Sequence, residues 1–370
     1  MHSLNPTPRI LLGPGPSTLP PSVLRAMAAP MVGYLDPQLM VYLGEIQEML
    51  RYTFQTANEW TFPLSGTGTA GMEAALANFI EPGDAVLVLV NGYFGARLAE
   101  IALRHRAQVD TIEHPWGQVF TPQEVETALE RKPYKLLALV HMETSTGTLQ
   151  PQVAEIASAA HRHGALVLLD TVASLGGAPV AVDAWDLDIV YSGSQKCLSA
   201  PPGMAPITIS ERARRSLETR RTPVDVWYLD LPLIARYWGE THAYHHPPPI
   251  SSLYGLHESL RLIVEEGLEA RFARHRANAE RLWEGLEALG MDFFVPQEYR
   301  SPTLSTPLVP DGVDEAAVRR RLLEEYDLEI AGGFGPLAGK IWRVGLMGYS
   351  SSRANVDLLL TALEGMVKAE

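Results

Sequence analysis

The sequence predicts an α/β protein: a large unit built on a mostly parallel sheet covered by helices, followed by a smaller α+β unit. Three observations predict it. At 370 residues the chain is long for a single core, and roughly 150 residues per domain makes two units the natural division. From about residue 70 to residue 210, short runs rich in Val, Leu and Ile alternate with amphipathic stretches, the pattern of strands followed by covering helices. Most of those runs lack period-2 alternation, as strands buried on both faces do.

The first 60 residues read as irregular and proline-rich, with Leu12-Gly-Pro-Gly-Pro-Ser17 the densest turn signal. A helix is expected over 70–79, and strands over 85–90, 108–112, 136–140, 165–169, 188–191 and 207–209. Thr121 as N-cap, Pro122 at the first helical position and Glu124 three residues after the cap mark a helix start. Residues 210–250 read as a long connection ending in Pro247-Pro248-Pro249. Helical text follows over 251–266 and 268–289, then mixed text with strands near 303–309, 328–331 and 341–346 and helices near 315–325 and 353–368. The expected division is an N-terminal arm over 1–20, a large unit over 21–250 and a small unit over 251–370.

Hydrophobic residues make up 46% and charged residues 20%, close to the globular average, which excludes a disordered, collagenous or coiled-coil chain. The 30 glycines and 28 prolines imply many tight turns and loops that approach a ligand closely. A formal net charge of −13 argues against nucleic-acid and anionic-membrane partners, yet leaves room for a local basic pocket. The single cysteine, Cys197, can close no intrachain disulfide, which fits a reducing cytoplasm. The N-terminal stretch lacks the apolar core of a signal peptide, and no run approaches the roughly 18 apolar residues of a membrane span. His161 and His163 have no companions at ligand spacing, so no metal is expected. A cytoplasmic enzyme is the expectation.

Three segments carry chemistry. Ser65-Gly-Thr-Gly-Thr-Ala-Gly71 matches G-x-G-x-x-G in form, but a dinucleotide site needs a strand directly before it, and the first strand is expected only afterwards, at Ala85. The hydroxyls and glycines still open a helix whose free N–H groups suit a phosphate. Asp170 closes an expected strand, where ligands collect in open α/β sheets. Lys196 stands among small, uncharged residues after the next strand, a setting in which a lysine can lose its proton and act as an amine nucleophile. A phosphate cup, a lysine for a Schiff base and a buried carboxylate opposite a pyridine nitrogen are together what pyridoxal 5′-phosphate (PLP) requires.

The chain resembles the class V aminotransferases of PLP fold type I, in the alanine–glyoxylate and serine–pyruvate branch. The matching segments are Gly13-Pro-Gly-Pro-Ser17, Phe54-Gln-Thr56, Gly66-Thr-Gly68, Glu81-Pro-Gly-Asp84, Glu143-Thr-Ser-Thr-Gly147, Asp170-Thr-Val-Ala-Ser-Leu-Gly-Gly177, Ser192-Gly-Ser-Gln-Lys196, Tyr244-His-His246, Gly335-Pro336 and Arg343-Val-Gly-Leu-Met-Gly348. By that resemblance, Lys196 carries the cofactor and Asp170 keeps the pyridine nitrogen protonated. Phe94 stacks on one face of the ring, Val172 packs on the other, and Thr144 lies near the phenolic oxygen. Thr67, Gly68, Thr69 and Gln195 fall on phosphate-cup positions. Tyr244 matches a tyrosine that reaches the neighbouring subunit's cofactor, which implies a homodimer. Arg343 matches the arginine that forks onto the substrate carboxylate. Two positions depart from the pattern: Pro247 stands where the family often has a threonine, and Thr69 where some relatives have histidine.

The resemblance implies an aminotransferase moving an amino group from alanine or serine to glyoxylate or pyruvate. A ureidoglycine–glyoxylate aminotransferase of purine breakdown is the alternative nearest to it, on Gln195-Lys-Cys-Leu-Ser199, Gly203-Met-Ala-Pro-Ile207 and Phe334-Gly-Pro-Leu-Ala-Gly-Lys-Ile-Trp342. That branch tends to carry amides where this chain has Tyr34 and Tyr244. A PLP-dependent lyase is the other alternative, since the choice of Cα bond is not written in the sequence.

Overall fold

The computed structural model describes residues 3–367. Its centre is a seven-stranded sheet in the order Trp60–Ser65, Met204–Ile209, Ile189–Tyr191, Leu166–Asp170, Leu136–Val140, Ala85–Val90 and Gln108–Glu113. Six strands run the same way, and Met204–Ile209 runs against both of its neighbours. Leu136–Val140, Leu166–Asp170, Ile189–Tyr191 and Met204–Ile209 are buried at every position. That is why their sequences show no alternation. Helices Gly68–Phe79, Tyr93–Arg104 and Val153–Arg162 cover the sheet. The helix Pro122–Leu129 starts as the sequence indicates, with a full capping box between Thr121 and Glu124.

Three expectations from the sequence need correction. The first 60 residues are not irregular: they hold helices Pro21–Met27 and Pro37–Phe54, the second capped by Asp36, whose side chain accepts from Gln38 N. Asp36 before Pro37 was a readable N-terminal signal, hidden by the prolines around it. The connection over 210–250 likewise contains helices Glu211–Glu218 and Leu231–Trp238. And a strand, Trp60–Ser65, does precede the glycine-rich loop. It contains Pro63, which a strand tolerates best at a sheet edge, and this strand is the edge. The absence of a preceding strand is therefore not what sets this loop apart from a dinucleotide site.

A smaller antiparallel sheet of Leu304–Ser305, Trp342–Gly345 and Ala331–Gly332 lies with helices Leu268–Ala288, Glu315–Tyr326 and Arg353–Val367 around a second apolar cluster that includes Leu282, Leu322, Trp342 and Leu359. Residue 368, at the end of the last expected helix, lies outside the described residues. The apolar side of Ile250–Glu266, with Leu253, Leu256, Leu260 and Ile263, belongs to the large cluster. The N-terminal strand Ile10–Leu11 pairs in parallel with Leu328–Glu329, and Leu12 is buried in the second cluster. From there the arm crosses to the sheet, where Ser17 Oγ donates to Lys196 O at 2.8 Å. Gly15 makes that crossing possible: its φ is +114°, and a Cβ on it would stand 2.7 Å from Lys196 Nζ.

Candidate active site

Each strand that runs in the common direction ends at one sheet edge, and the loops leaving that edge enclose a cavity of about 210 Å³. Thr67, Gly68, Thr69 and Met72 come from the helix start after Trp60–Ser65. Phe94 and Arg97 come from the helix after Ala85–Val90, and Met142 and Thr144 from the turn after Leu136–Val140. Asp170, Val172 and Ala173 follow the next strand, and Gln195 and Lys196 the one after it. Of the eleven residues singled out from the sequence, nine line this one cavity: Thr67, Gly68, Thr69, Phe94, Thr144, Asp170, Val172, Gln195 and Lys196.

Arg343 approaches from the small sheet. Its Nε donates to Gly332 O at 2.8 Å, its Nη1 lies 3.4 Å from Thr144 O, and its guanidinium sits 4.7 Å from the centre of the Phe334 ring. Trp342 and Val344 on either side point into the second core, as strand alternation requires. Tyr244 does not reach the cavity. It is 54% exposed and stacked on Tyr34 at 6.4 Å between ring centres.

The electrostatics are set by burial. Asp170 is 3% exposed. Its Oδ2 accepts from the Tyr191 hydroxyl at 2.6 Å and its Oδ1 from Val172 N at 2.8 Å. Burial raises its pKa to about 6, against the pull of those two hydrogen bonds. Lys196 Nζ donates to Pro14 O, and burial lowers its pKa to about 8. At neutral pH a usable fraction of this lysine is therefore the free amine. Burial also brings Arg343 down to about 10, still a cation near neutrality.

Sequence reasoning missed four groups here. Tyr191 pairs directly with Asp170 in register on the adjacent strand, so its hydroxyl is the carboxylate's partner. Glu143 was visible only as part of a matching segment. It is buried, and it accepts from Phe94 N, Gly95 N, Ser145 N and Ser145 Oγ. Arg97 follows Phe94 by one helical turn, a spacing that places two side chains on one face and could have drawn attention to it. The contact between Pro14 and Lys196 spans 182 residues and has no local signal.

A buried lysine of lowered pKa, a carboxylate at the end of a neighbouring strand and a helix N-terminus, all at one edge of a mostly parallel sheet, are the arrangement that a PLP-dependent enzyme of fold type I requires. The chain belongs to the class V aminotransferases, whose family model, Aminotransferase class-V, matches residues 10–357. It is 42% identical to the (S)-ureidoglycine–glyoxylate transaminase of Bacillus subtilis over 97% of this chain and 90% of that protein. It is also 42% identical to the alanine–glyoxylate aminotransferase of Oryctolagus cuniculus, over 96% of this chain and 91% of that one. Among solved structures it is similar to an alanine–glyoxylate aminotransferase from Nostoc sp., at TM-score 0.96 and 52% identity, covering 100% of this chain and 97% of the other. The protein is a transaminase, and its cofactor is PLP.

Proposed function

We propose that this transaminase moves an amino group from alanine or serine to glyoxylate or pyruvate, and that Lys196, Asp170 and Arg343 carry the work. The observation behind this reading is a small cavity with a lysine and a half-satisfied carboxylate on its sheet side and one arginine on its small-sheet side. Arg343 is the guanidinium that the small sheet brings up to Thr144, and one such group suits substrates with a single carboxylate. Similarity to the alanine–glyoxylate enzymes supports the same substrates.

The residues present fit the cofactor. Gln195 Oε1 is buried without a hydrogen-bond partner, so nothing in the chain fixes which way this amide points, and its Nε2 can turn to donate to a phosphate. A Cβ on Gly68 would meet Val172 Cγ2 at 2.8 Å, so only glycine lets the helix start pack directly against the residue assigned to the ring's face. Thr67, Gly68, Thr69 and Gln195 would hold the phosphate, Phe94 and Val172 the two faces of the ring, Thr144 the phenolic oxygen and Asp170 the ring nitrogen. PLP, when bound, supplies an aldehyde for amines and a ring that accepts electron density from the substrate Cα.

The chain's own groups do the rest. Lys196, lowered to about 8, yields a neutral Nζ that takes the proton from substrate Cα and returns it as general acid. Asp170, with two lone-pair sites taken by Tyr191 and Val172, keeps capacity for one more donor and holds a proton at the ring nitrogen by charge. Arg343 keeps one edge of its guanidinium for a two-point grip on the carboxylate, which orients donor and acceptor alike. Phe334, under that guanidinium, excludes water from the grip.

Beyond the single chain, the reading extends to a cytoplasmic homodimer in which Tyr244 serves the neighbouring subunit's phosphate. Exposed Tyr34, Trp227, Tyr228 and Tyr244 support a contact there. Among the described residues no helix is long and apolar enough to cross a membrane. The chain would work as an arm over 1–20, a large unit over 21–250 and a small unit over 251–370, with Ile250–Glu266 as the strut between the last two.

A second reading, ureidoglycine as donor, is favoured by the Bacillus subtilis relative. Against it, this chain has Tyr34 and Tyr244 at positions where that branch tends to carry the amides that would read a ureido group. A matrix of amino donors, ureidoglycine included, against glyoxylate, pyruvate and 2-oxoglutarate tests both. Alanine or serine with glyoxylate or pyruvate should give the highest kcat/KM. Ureidoglycine winning would replace this reading, and oxo-acid product from a donor with no acceptor, beyond one turnover, would mean a lyase.

A further inference from the structure

We propose that Arg97 is the cation of the cofactor's phosphate site. The inference rests on the reading of the cavity as the PLP site and adds a residue to it. Arg97 lines the cavity, and its Nη1 donates to Thr69 Oγ1 at 3.2 Å. Thr69 stands in the first turn of Gly68–Phe79, where Ala70 N is the first amide to turn back, onto Thr67 O. The guanidinium thus sits beside the end of a helix that presents unpaired N–H groups, where an anion is favoured. Because Thr69 Oγ1 accepts from Arg97, its own O–H is left to donate to that anion.

Charge balance makes the assignment. A phosphate monoester carries about −1.5 to −2 near neutral pH. Thr67, Gly68, Thr69 and Gln195 offer only neutral donors, and two buried carboxylates, Asp170 and Glu143, stand behind the site. A dianion next to two acids without a cation would be costly to desolvate. Lys196 and Arg97 are the cations that line the cavity, and Arg343, which approaches from the small sheet against Thr144 O, is given to the substrate carboxylate. Lys196 lies against Pro14 O and is the group that bonds the cofactor, so it is not available to the phosphate.

Arg97 is available. Among the described residues it forms no ion pair, and its other contacts are with rings: the guanidinium carbon lies 4.8 Å from the centre of Phe94 and 4.9 Å from that of Tyr93. Those rings hold the group in place without neutralising it. A fixed, unpaired guanidinium at a helix start is a phosphate receptor in chemistry as well as in position.

The test compares PLP with pyridoxal, which lacks the phosphate, by fluorescence titration of cofactor-free wild type, Arg97→Gln and Arg97→Lys. Arg97→Gln should weaken PLP by about tenfold to a hundredfold, the range of a hydrogen bond to a charged group. Its affinity for pyridoxal should equal that of wild type, and Arg97→Lys should recover part of the loss for PLP. In ³¹P spectra the bound phosphate should stay dianionic from pH 5 to 8 in wild type and titrate in Arg97→Gln. Circular dichroism and melting of the free proteins establish that the variants fold; should Arg97→Gln not fold, Arg97→Lys and the wild-type phosphate titration carry the test. Equal PLP affinity in wild type and Arg97→Gln overturns the proposal, as does an equal loss for pyridoxal, which would assign Arg97 to the rings alone. A defect confined to dicarboxylate substrates overturns it too. Wild-type protein that takes up no PLP would instead sink the cofactor reading, and the proposal with it.

Discussion

Two buried carboxylates stand almost side by side in this protein, and they are built for different ends. Asp170 closes one strand of the sheet, and Glu143 lies three residues past the end of the adjacent one. Both are nearly inaccessible, and burial pushes both above the ordinary carboxylate range. Glu143 accepts four hydrogen bonds, two from the second and third amides of Tyr93–Arg104 and two from Ser145. Its capacity is filled, and it fixes the helix that carries Phe94 and Arg97. Asp170 accepts two and faces the cavity with the remainder. A saturated buried acid holds structure; a half-saturated one at a cavity wall is left for chemistry.

Substitution of both acids by their amides breaks or sustains that comparison. The largest effect belongs to Asp170→Asn in the loaded enzyme: kcat should fall by roughly 10²–10⁴-fold, the range for loss of a positioned proton-handling group, while the protein still folds and takes up PLP. Rapid-mixing kinetics at saturating substrate measure it, and near wild-type turnover would transfer the role to another residue.

Without cofactor the same variant should gain stability. Asp170 titrates at about 6 in the folded protein, against the ordinary 3.8. Between those values the folded state binds more protons than the unfolded one, so wild-type stability falls as pH rises from about 4 to about 6. The full deficit, at most about 3 kcal/mol, is present above pH 6. Asp170→Asn carries no such deficit, so its Tm should exceed that of wild type at pH 7.5 and the two should converge near pH 4. A gap that ignores pH would mean that Asp170 is not the titrating group.

Glu143→Gln should do the opposite. A glutamine amide offers one acceptor oxygen, and its NH₂ would face donors, so about 1–3 kcal/mol of stability should be lost. Melting should drop by a few degrees, as it does for a chain of this size, with a fall in PLP affinity because Phe94 and Arg97 move with their helix. A variant as stable as wild type would remove the distinction drawn between the two acids. Smallest is Tyr191→Phe. It deletes one neutral donor to Asp170, so kcat/KM should fall by no more than about tenfold, and the pH at which free-protein stability stops falling should move upward while the onset near pH 4 stays in place.

How far these parts were legible depends on how local their signals are. Asp170 closes a strand, Lys196 follows one, and the Thr67–Thr69 cup opens a helix, so at each place a few consecutive residues state both the element and its end. The fully apolar strands were legible for the same reason. Trp60–Ser65 was not, because Pro63 argues against a strand until the sheet is known to end there. Glu143 stayed unassigned because its partners, Phe94 and Gly95, lie 49 and 48 residues away. Arg97 was passed over because an arginine on an amphipathic helix is most simply a solvated charge until the face it shares with Phe94 is seen to line a cavity.

By itself the sequence determined the alternation of strands and helices, the lysine and carboxylate at neighbouring strand ends, and the hydroxyl-rich helix start. Each follows from periodicity, caps and turn residues acting over fewer than about ten positions. Tertiary structure alone decided what those residues meet. It brought Pro14 to Lys196 across 182 residues and Arg343 to Thr144 across 199, and it set Tyr191 opposite Asp170 in register. It also removed water from Asp170, Lys196 and Arg343, shifting each away from its ordinary pKa. Desolvation depends on everything packed around a group, and packing is a property of the folded chain rather than of any segment of it.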